Sequence, residues 1–338
     1  MTALSFPYRT LPEPAQKVEV AEGVFWLRFG LPFALDHINL WLLRDGDGWL
    51  IVDTGFGDEA TREAWLRTFD EALEGRPLTR IIVTHYHPDH IGQAAWLADT
   101  WSAPVSMTAG ELALAQHLHA VPDQRLHTEG KAFFVRHGLD QERAQAMVAT
   151  GNRYRRAIPA LPQPAEILRD GQELTIDGRC WRIICGNGHS PEHACLYREE
   201  DGVLISGDQV LPTISSNVSV HLDSAQDDPL SGFIESQHKI GQLPADTLVL
   251  PAHGRPFRGL RERTAALVGH HERQLARVEA ACKEQPQSAA DLLPVLFRPN
   301  LTPHELHFAM GESLAHLNYL ERRGRLTRLE AEVVRFTA

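Results

Sequence analysis

The 338-residue sequence predicts an α/β (α+β) fold: two β-sheets packed together, with helices on their outer faces. Three observations predict it. Short apolar runs bounded by Gly, Asp and Pro recur in the first third of the chain. Similar runs return between Glu166 and Leu250, as a loose echo of the first set. Helical apolar spacing fills the stretch between these regions and most of the chain after Arg258.

Taken in order, Val18 to Phe29 carries a β-rich run. Ile38 to Leu43 and Trp49 to Val52 read as the arms of a hairpin, because Asp45, Gly46, Asp47 and Gly48 tolerate the positive φ of a tight turn. Thr79 to Thr84 is a short strand with the apolar centre Ile81 to Val83, of the type buried on both faces. Ile91 to Asp99 has helical spacing. Residues 110–164 form a mostly helical insertion that ends in a Pro-rich stretch. Glu166 to Cys185 reads as strand, Asp-Gly turn, strand. Ala194 to Tyr197 and Val203 to Ser206 form another hairpin, and Thr247 to Leu250 a last buried strand.

A second unit is expected from residue 258 to 338, after a first of residues 1–257. Leu260 to Glu284 is helical and charged, and Ser288 to Phe297 is a short helix stopped by Pro299. Thr302-Pro303-His304-Glu305 has the form of a capping box with Pro at the first helical position. The helix it opens would bury Leu306, Met310, Leu314, Leu317 and Leu320 and end at Gly324. A hairpin of Leu326 to Leu329 and Val333 to Phe336 follows, so the unit reads as winged-helix-like.

Composition narrows the classes of function. No run approaches the roughly 18 to 20 apolar residues of a membrane span. Met1 to Thr10 lacks a basic segment leading into an apolar one, so a cytoplasmic location is expected. Cys180, Cys185, Cys195 and Cys282 form no C-x-x-C pair and are expected to be small buried side chains. The formal charge of −11 is uneven: from Arg258 onward 12 Lys and Arg face 10 Asp and Glu, a net of +2, and the body carries 21 against 34, a net of −13. An acidic body repels polyanions, which argues against nucleic acid as a partner and for a small molecule.

The chemistry concentrates in Thr84-His85-Tyr86-His87-Pro88-Asp89-His90, directly after a buried strand. His85 and His87 fall on one side of an extended loop, because side chains alternate with period two. Asp89 and His90 sit where the chain turns toward the next helix and can face a second ion. Imidazole and carboxylate suit zinc, and also iron, manganese or cobalt. His189, Asp208 and His253 each follow an apolar strand and a small residue. Tyr86 reads as packing, and Trp65, Trp96 and Trp101 as core.

Together these residues closely resemble the metallo-β-lactamase-like superfamily, whose pattern is H-x-H-x-D-H, then His, Asp and His. The resemblance covers about Val18 to Gly254. It implies an αββα sandwich with two divalent metal ions along one edge. His85, His87 and His189 would hold the first ion, Asp89, His90 and His253 the second, and Asp208 would bridge them. Asp53, in Val52-Asp53-Thr54-Gly55, matches the family's early Asp and would orient a ligand loop. The implied mechanism is attack by a hydroxide shared between the ions, with Asp89 also taking up a proton as the catalytic acid-base group.

Departures from the family's branches narrow the reaction. Asp208 in the bridging position departs from true β-lactamases. A separation of 45 positions from Asp208 to His253 leaves no room for the inserted domain of the family's nucleases. Gln209, Val210 and Leu211 stand where lactonases carry a Tyr, and the C-terminal region does not match that of the glutathione-thioester hydrolases. The chain most resembles the lactamase-β-like 2 group. The expected activity is hydrolysis of an ester or thioester, with a single-strand endoribonuclease as the alternative and a lactonase as a third. His193 reads first as a structural residue and secondly as a substrate donor. Arg155 and Arg156, with Arg153, are candidates to meet an anionic carrier. Leu112, Leu114, Leu118, Phe133, Phe134 and Met147 would wall the site for an acyl chain. The long C-terminal helix and hairpin suit packing or a homodimer.

Overall fold

In a computed structural model residues 4–338 are described, so the start of the Met1 to Thr10 stretch lies outside the described residues. Two hairpins open the chain: Val18–Ala21 (β1) with Val24–Gly30 (β2), and His37–Asp45 (β3) with Gly48–Val52 (β4). The second turns at Gly46, whose φ of 61° is the left-handed conformation its turn requires. Glu59–Glu71 (α1) follows, capped by the Asp58 carboxylate on the Thr61 N–H. Leu78–Ile82 (β5), Pro88–Ile91 (α2), Ala94–Trp101 (α3) and Val105–Thr108 (β6) lead into the helical insertion. The insertion holds Ala109–Ala120 (α4), Asp123–Arg125 (α5), Lys131–Arg136 (α6), Gln141–Val148 (α7) and Arg153–Ala157 (α8), and Pro164–Leu168 (β7) leaves it. Among the described residues these strands form one sheet in sequential order, antiparallel up to β4 and parallel from β4 to β7.

The second sheet is built from Glu173–Ile176 (β8), Arg179–Gly186 (β9), His193–Arg198 (β10), Val203–Gly207 (β11) and Leu248–Pro251 (β12). Its order is β12-β11-β10-β9-β8, and β12 returns parallel to β11 through the helix Pro229–Ile240 (α9). Leu260–Glu284 (α10), Leu293–Leu296 (α11) and Pro303–Arg322 (α12) follow, then the pair Thr327–Leu329 (β13) and Arg335–Thr337 (β14). The capping box at Thr302 and Glu305 forms as its residues predict.

Alternation along the strands sorts the side chains into three layers. Val24, Trp26, Trp41 and Leu43 face inward and meet Trp181, Ile183, Leu196 and Ile205 of the second sheet. Their neighbours Phe25, Leu27, Leu40 and Leu42 face outward onto Trp65 of α1 and Leu97 of α3. On the far side Tyr197, Leu204 and Val249 face Phe233, Leu275 and Leu314 of α9, α10 and α12. The result is helix, sheet, sheet, helix. Each such buried Leu or Phe contributes roughly 1.5–3 kcal/mol. The C-terminal helices are thus the outer layer of the second sheet, and one continuous core crosses residue 257.

Four local readings are corrected. Glu166 to Cys185 divides between the two sheets: β7 pairs with β6, and only β8 and β9 form the hairpin through Asp177 and Gly178. The strand β6, four residues long, was too short for periodicity to reveal. The Ile91 to Asp99 helix is broken at Gly92 and Gln93, whose amide side chain donates to the carbonyls of Phe56 and Asp58. Ser288 to Phe297 is helical only over α11, because the Asp291 carboxylate closes a turn on the Ser288 N–H and hydroxyl. Cys180 is exposed, whereas Cys185, Cys195 and Cys282 are buried, and burial raises the thiols of Cys185 and Cys282 to about 12 and about 11. A thiol reagent is therefore expected to titrate one cysteine quickly in the native protein and all four in denaturant. Rapid loss of more than one native thiol would contradict this burial.

Candidate metal centre

Every residue of the centre leaves the end of a strand along one edge of the sandwich. Asp53 follows β4, the His85–His90 loop follows β5, His189 follows β9, Asp208 follows β11 and His253 follows β12. Gly207 at the end of β11 has a φ of 48°, and a Cβ there would come within 2.5 Å of the His193 ring. Only glycine allows the turn that presents Asp208 over that ring.

The structure brings the seven expected ligands into two adjoining groups. In the first, His85 Nε2 lies 2.8 Å from His87 Nδ1 and 3.3 Å from His189 Nε2. Asp208 Oδ2 is 3.3 Å from His189 Nε2 and 4.0 Å from His85 Nε2. In the second, His253 Nε2 lies 3.4 Å from Asp89 Oδ2, and His90 Nε2 lies 3.8 Å from it. The other Asp208 oxygen, Oδ1, is 3.3 Å from His253 Nε2 and 3.6 Å from His90 Nε2. One carboxylate thus offers an oxygen to each group.

These spacings fit metal ions. Donors around a tetrahedral ion with bonds of about 2.0–2.1 Å stand about 3.3 Å apart. His90 Nε2, His253 Nε2 and Asp208 Oδ1 are buried without a hydrogen-bond partner, a costly arrangement unless a cation lies between them.

The outer ring nitrogens are tied to the scaffold. His253 Nδ1 donates to the His37 carbonyl at 2.7 Å, and His189 Nδ1 to the Asn217 carbonyl at 2.8 Å. The Asp53 carboxylate, 2.7 Å from His90 Nδ1, also accepts from the Thr84 N–H at 2.8 Å. Each bond directs an Nε2 lone pair into the centre. Asp53 does this from a φ of 64°, an unusual conformation for a non-glycine residue.

Burial disfavours charge here, and the neighbours decide where it remains. It pushes His85 and His87 well below the ordinary imidazole value, and adjacent imidazoles add to that. His90 and His253 feel the same burial, but carboxylates outweigh it. Asp53, Asp89 and Asp208 hold His90 well above its ordinary value, and Asp208 and Asp89 raise His253 to about 10. Burial likewise opposes the carboxylates, yet His90 and His253 lower Asp89 to about 2 and hold Asp208 well below the usual range.

Other expected site residues fall elsewhere. His193 is fully buried, its Nε2 accepts the Asp208 N–H at 3.1 Å and its Nδ1 faces Cys195, so it holds the Asp208 turn and reaches no open space. Arg155 and Arg156 pair with Asp123 at 3.0 and 3.6 Å on the exposed side of α8. Phe133, Phe134 and Met147 belong to the core shared with α12, and Leu112, Leu114 and Leu118 pack on the outer face of the first sheet. Their helical spacing reported burial, which core and pocket wall share. The Tyr154 hydroxyl donates to the Tyr86 carbonyl at 2.7 Å and docks α8 on the ligand loop.

Residues that the sequence reading missed do comparable work. Glu111, buried at the start of α4, accepts from the Tyr86 N–H, the Ser190 hydroxyl and the Glu192 N–H, so one carboxylate fastens both histidine loops of the first group. An aromatic array also forms across three separate segments of the chain. Phe33 lies 5.1 Å from Phe56 and 6.0 Å from His304, which in turn meets Phe308 at 4.9 Å. Arg153 reaches His304 at 3.3 Å. Phe33 stands four residues before His37, the support of His253, and Phe56 three residues after Asp53, the partner of His90.

Comparisons with known proteins find relatives along most of the chain. Residues 34–253 match the family described as the metallo-beta-lactamase superfamily, and residues 275–338 that described as metallo-beta-lactamase-like, C-terminal domain. A beta-lactamase domain protein from Burkholderia ambifaria is 44% identical, with a TM-score of 0.92 over 99% of this chain and 98% of its own. A metallo-beta-lactamase family protein from Thermus thermophilus is 29% identical, with a TM-score of 0.79 over 94% of this chain and 99% of its own. A probable metallo-hydrolase from Bacillus subtilis is 26% identical over 318 residues, 90% of this chain and 94% of that protein.

Proposed function

Because the chain belongs to the metallo-beta-lactamase superfamily and is a metal-dependent hydrolase, we propose that it cleaves an ester or thioester at a binuclear centre. His85, His87 and His189 would hold one divalent ion, Asp89, His90 and His253 the other, and Asp208 both. Zinc suits this mixture of imidazole and carboxylate, as do iron and manganese. When bound, the ions supply Lewis acidity and an acidified water. Asp53, Thr84, Asn217 and His37 would orient the ligands, and Asp89 would accept a proton at its carboxylate. Residues 1–257 would be the catalytic domain. Residues 258–338, winged-helix-like in their helices and terminal hairpin, would complete the core rather than read nucleic acid.

The observation that carries the ester reading is the aromatic array of Phe33, Phe56 and Phe308. Phe33, exposed on the loop that leads to His37, would offer an apolar acyl group a surface, whereas an RNA would meet a body of net charge −13. Medium-chain acyl esters or thioesters should be hydrolysed measurably by the zinc-loaded protein in a panel that includes lactones, phosphodiesters and single-stranded RNA. Efficient RNA cleavage at physiological salt with no acyl hydrolysis would reverse the assignment.

Metal uptake should also release protons. His253, raised to about 10 by its carboxylates, is protonated at pH 8 without metal, and ligation requires its lone pair. Adding zinc to chelator-treated protein at pH 8 is expected to acidify a weakly buffered solution by about one proton per chain from this residue. An unchanged indicator dye would contradict the ligand assignment.

A further inference from the structure

We propose that His270, His271 and Glu312 form a separate site for a single divalent cation, between α10 and α12. One ring nitrogen from each histidine and one oxygen of Glu312 lie within 4.8 Å of one another. None of these residues belongs to the seven-residue centre.

The hydrogen bonds prepare the site. His316 Nδ1 lies 2.7 Å from the Glu312 carbonyl, which can only accept, so this nitrogen carries the proton. In a neutral ring its Nε2 is then an acceptor, and His271 Nδ1, 3.3 Å away, is the donor to it. His271 Nε2 is left with its lone pair, which faces the Ser215 hydroxyl at 3.4 Å. A histidine whose other nitrogen donates inward is the arrangement that metal ligands adopt. Burial keeps both rings neutral, lowering His271 to about 3 and His316 to about 4, so the lone pair is available at physiological pH.

Glu312 supplies the charge. Asn217 donates to its Oε2 at 3.0 Å, and among the described residues no lysine or arginine pairs with it. Burial raises this carboxyl to about 7, the response of an acid lacking a cation. A divalent ion beside it would restore the carboxylate and engage His270, which is half-buried and open to solvent on one side. Two imidazoles and a carboxylate are a donor set that zinc accepts. Asn217 links the two places, because its carbonyl also receives the His189 Nδ1–H.

The test counts ions. Full-length protein is stripped with a chelator, dialysed, saturated with zinc chloride and desalted, and zinc is measured against protein. His270→Asn and Glu312→Gln, both at partly exposed positions, should each hold one zinc per chain fewer than wild type. The same loss of one is expected when His270→Asn is placed in an Asp208→Asn background, so failure of the binuclear centre is distinguishable from failure of this site. If both single variants retain as much zinc as wild type, the site does not exist.

Discussion

Asp208→Asn is expected to lower hydrolysis by about three orders of magnitude while leaving the fold intact. The substitution keeps one oxygen and loses the charge and the second oxygen that serve both groups. A Lewis-acid ion contributes several kcal/mol to the barrier, and each 1.36 kcal/mol is about tenfold in rate. The turn itself should survive, because it is held through the backbone. The Asp208 N–H donates to His193, and its carbonyl accepts from the Ser216 hydroxyl. Circular dichroism should therefore stay near wild type as zinc content and turnover fall together. A variant that kept turnover within about tenfold would show that Asp208 does not join the two ions.

Truncation after Phe257 should have the largest effect on stability. It strips α9 and the second sheet of Leu267, Leu275, Val278, Met310, Leu314 and Leu317, leaving Phe233, Tyr197, Leu204 and Val249 facing water. Losing a single large core side chain costs about 2–5 kcal/mol, and whole domains are stable by only about 5–15 kcal/mol. The shortened chain is expected to be insoluble or to lack a cooperative melt. A soluble product with native circular dichroism and a sharp transition would show that the first unit carries its own complete core.

Much of this was legible because the informative residues are close in sequence. Four of the seven residues fall between His85 and His90, and a strand before them fixes which way each points. The layer pattern was legible for the same reason, since alternation along β2, β3 and β10 is local. Glu111 and Asn217 were not. Each is one polar residue whose meaning lies in partners far along the chain, Ser190 for Glu111 and Glu312 for Asn217. His193 shows the same difficulty. Its place before the strand Ala194 to Tyr197 suggested a structural residue, but only the packing of its ring against Gly207 shows which turn it shapes. Phe133 and Phe134 misled because an apolar side chain carries no mark of what will cover it.

The two groups draw on both sheets: His85, His87, Asp89 and His90 hang from the first, and His189, Asp208 and His253 from the second. No ion can be gripped by such a set until the sheets have docked, because the contributing positions run from 85 to 253 and are scattered in an open chain. Capture therefore comes late in folding, and release must come early in unfolding. The ions would act as rivets whose removal speeds opening more than their presence speeds assembly. Chelation should then shorten the lifetime of the native protein in denaturant while changing its refolding rate little.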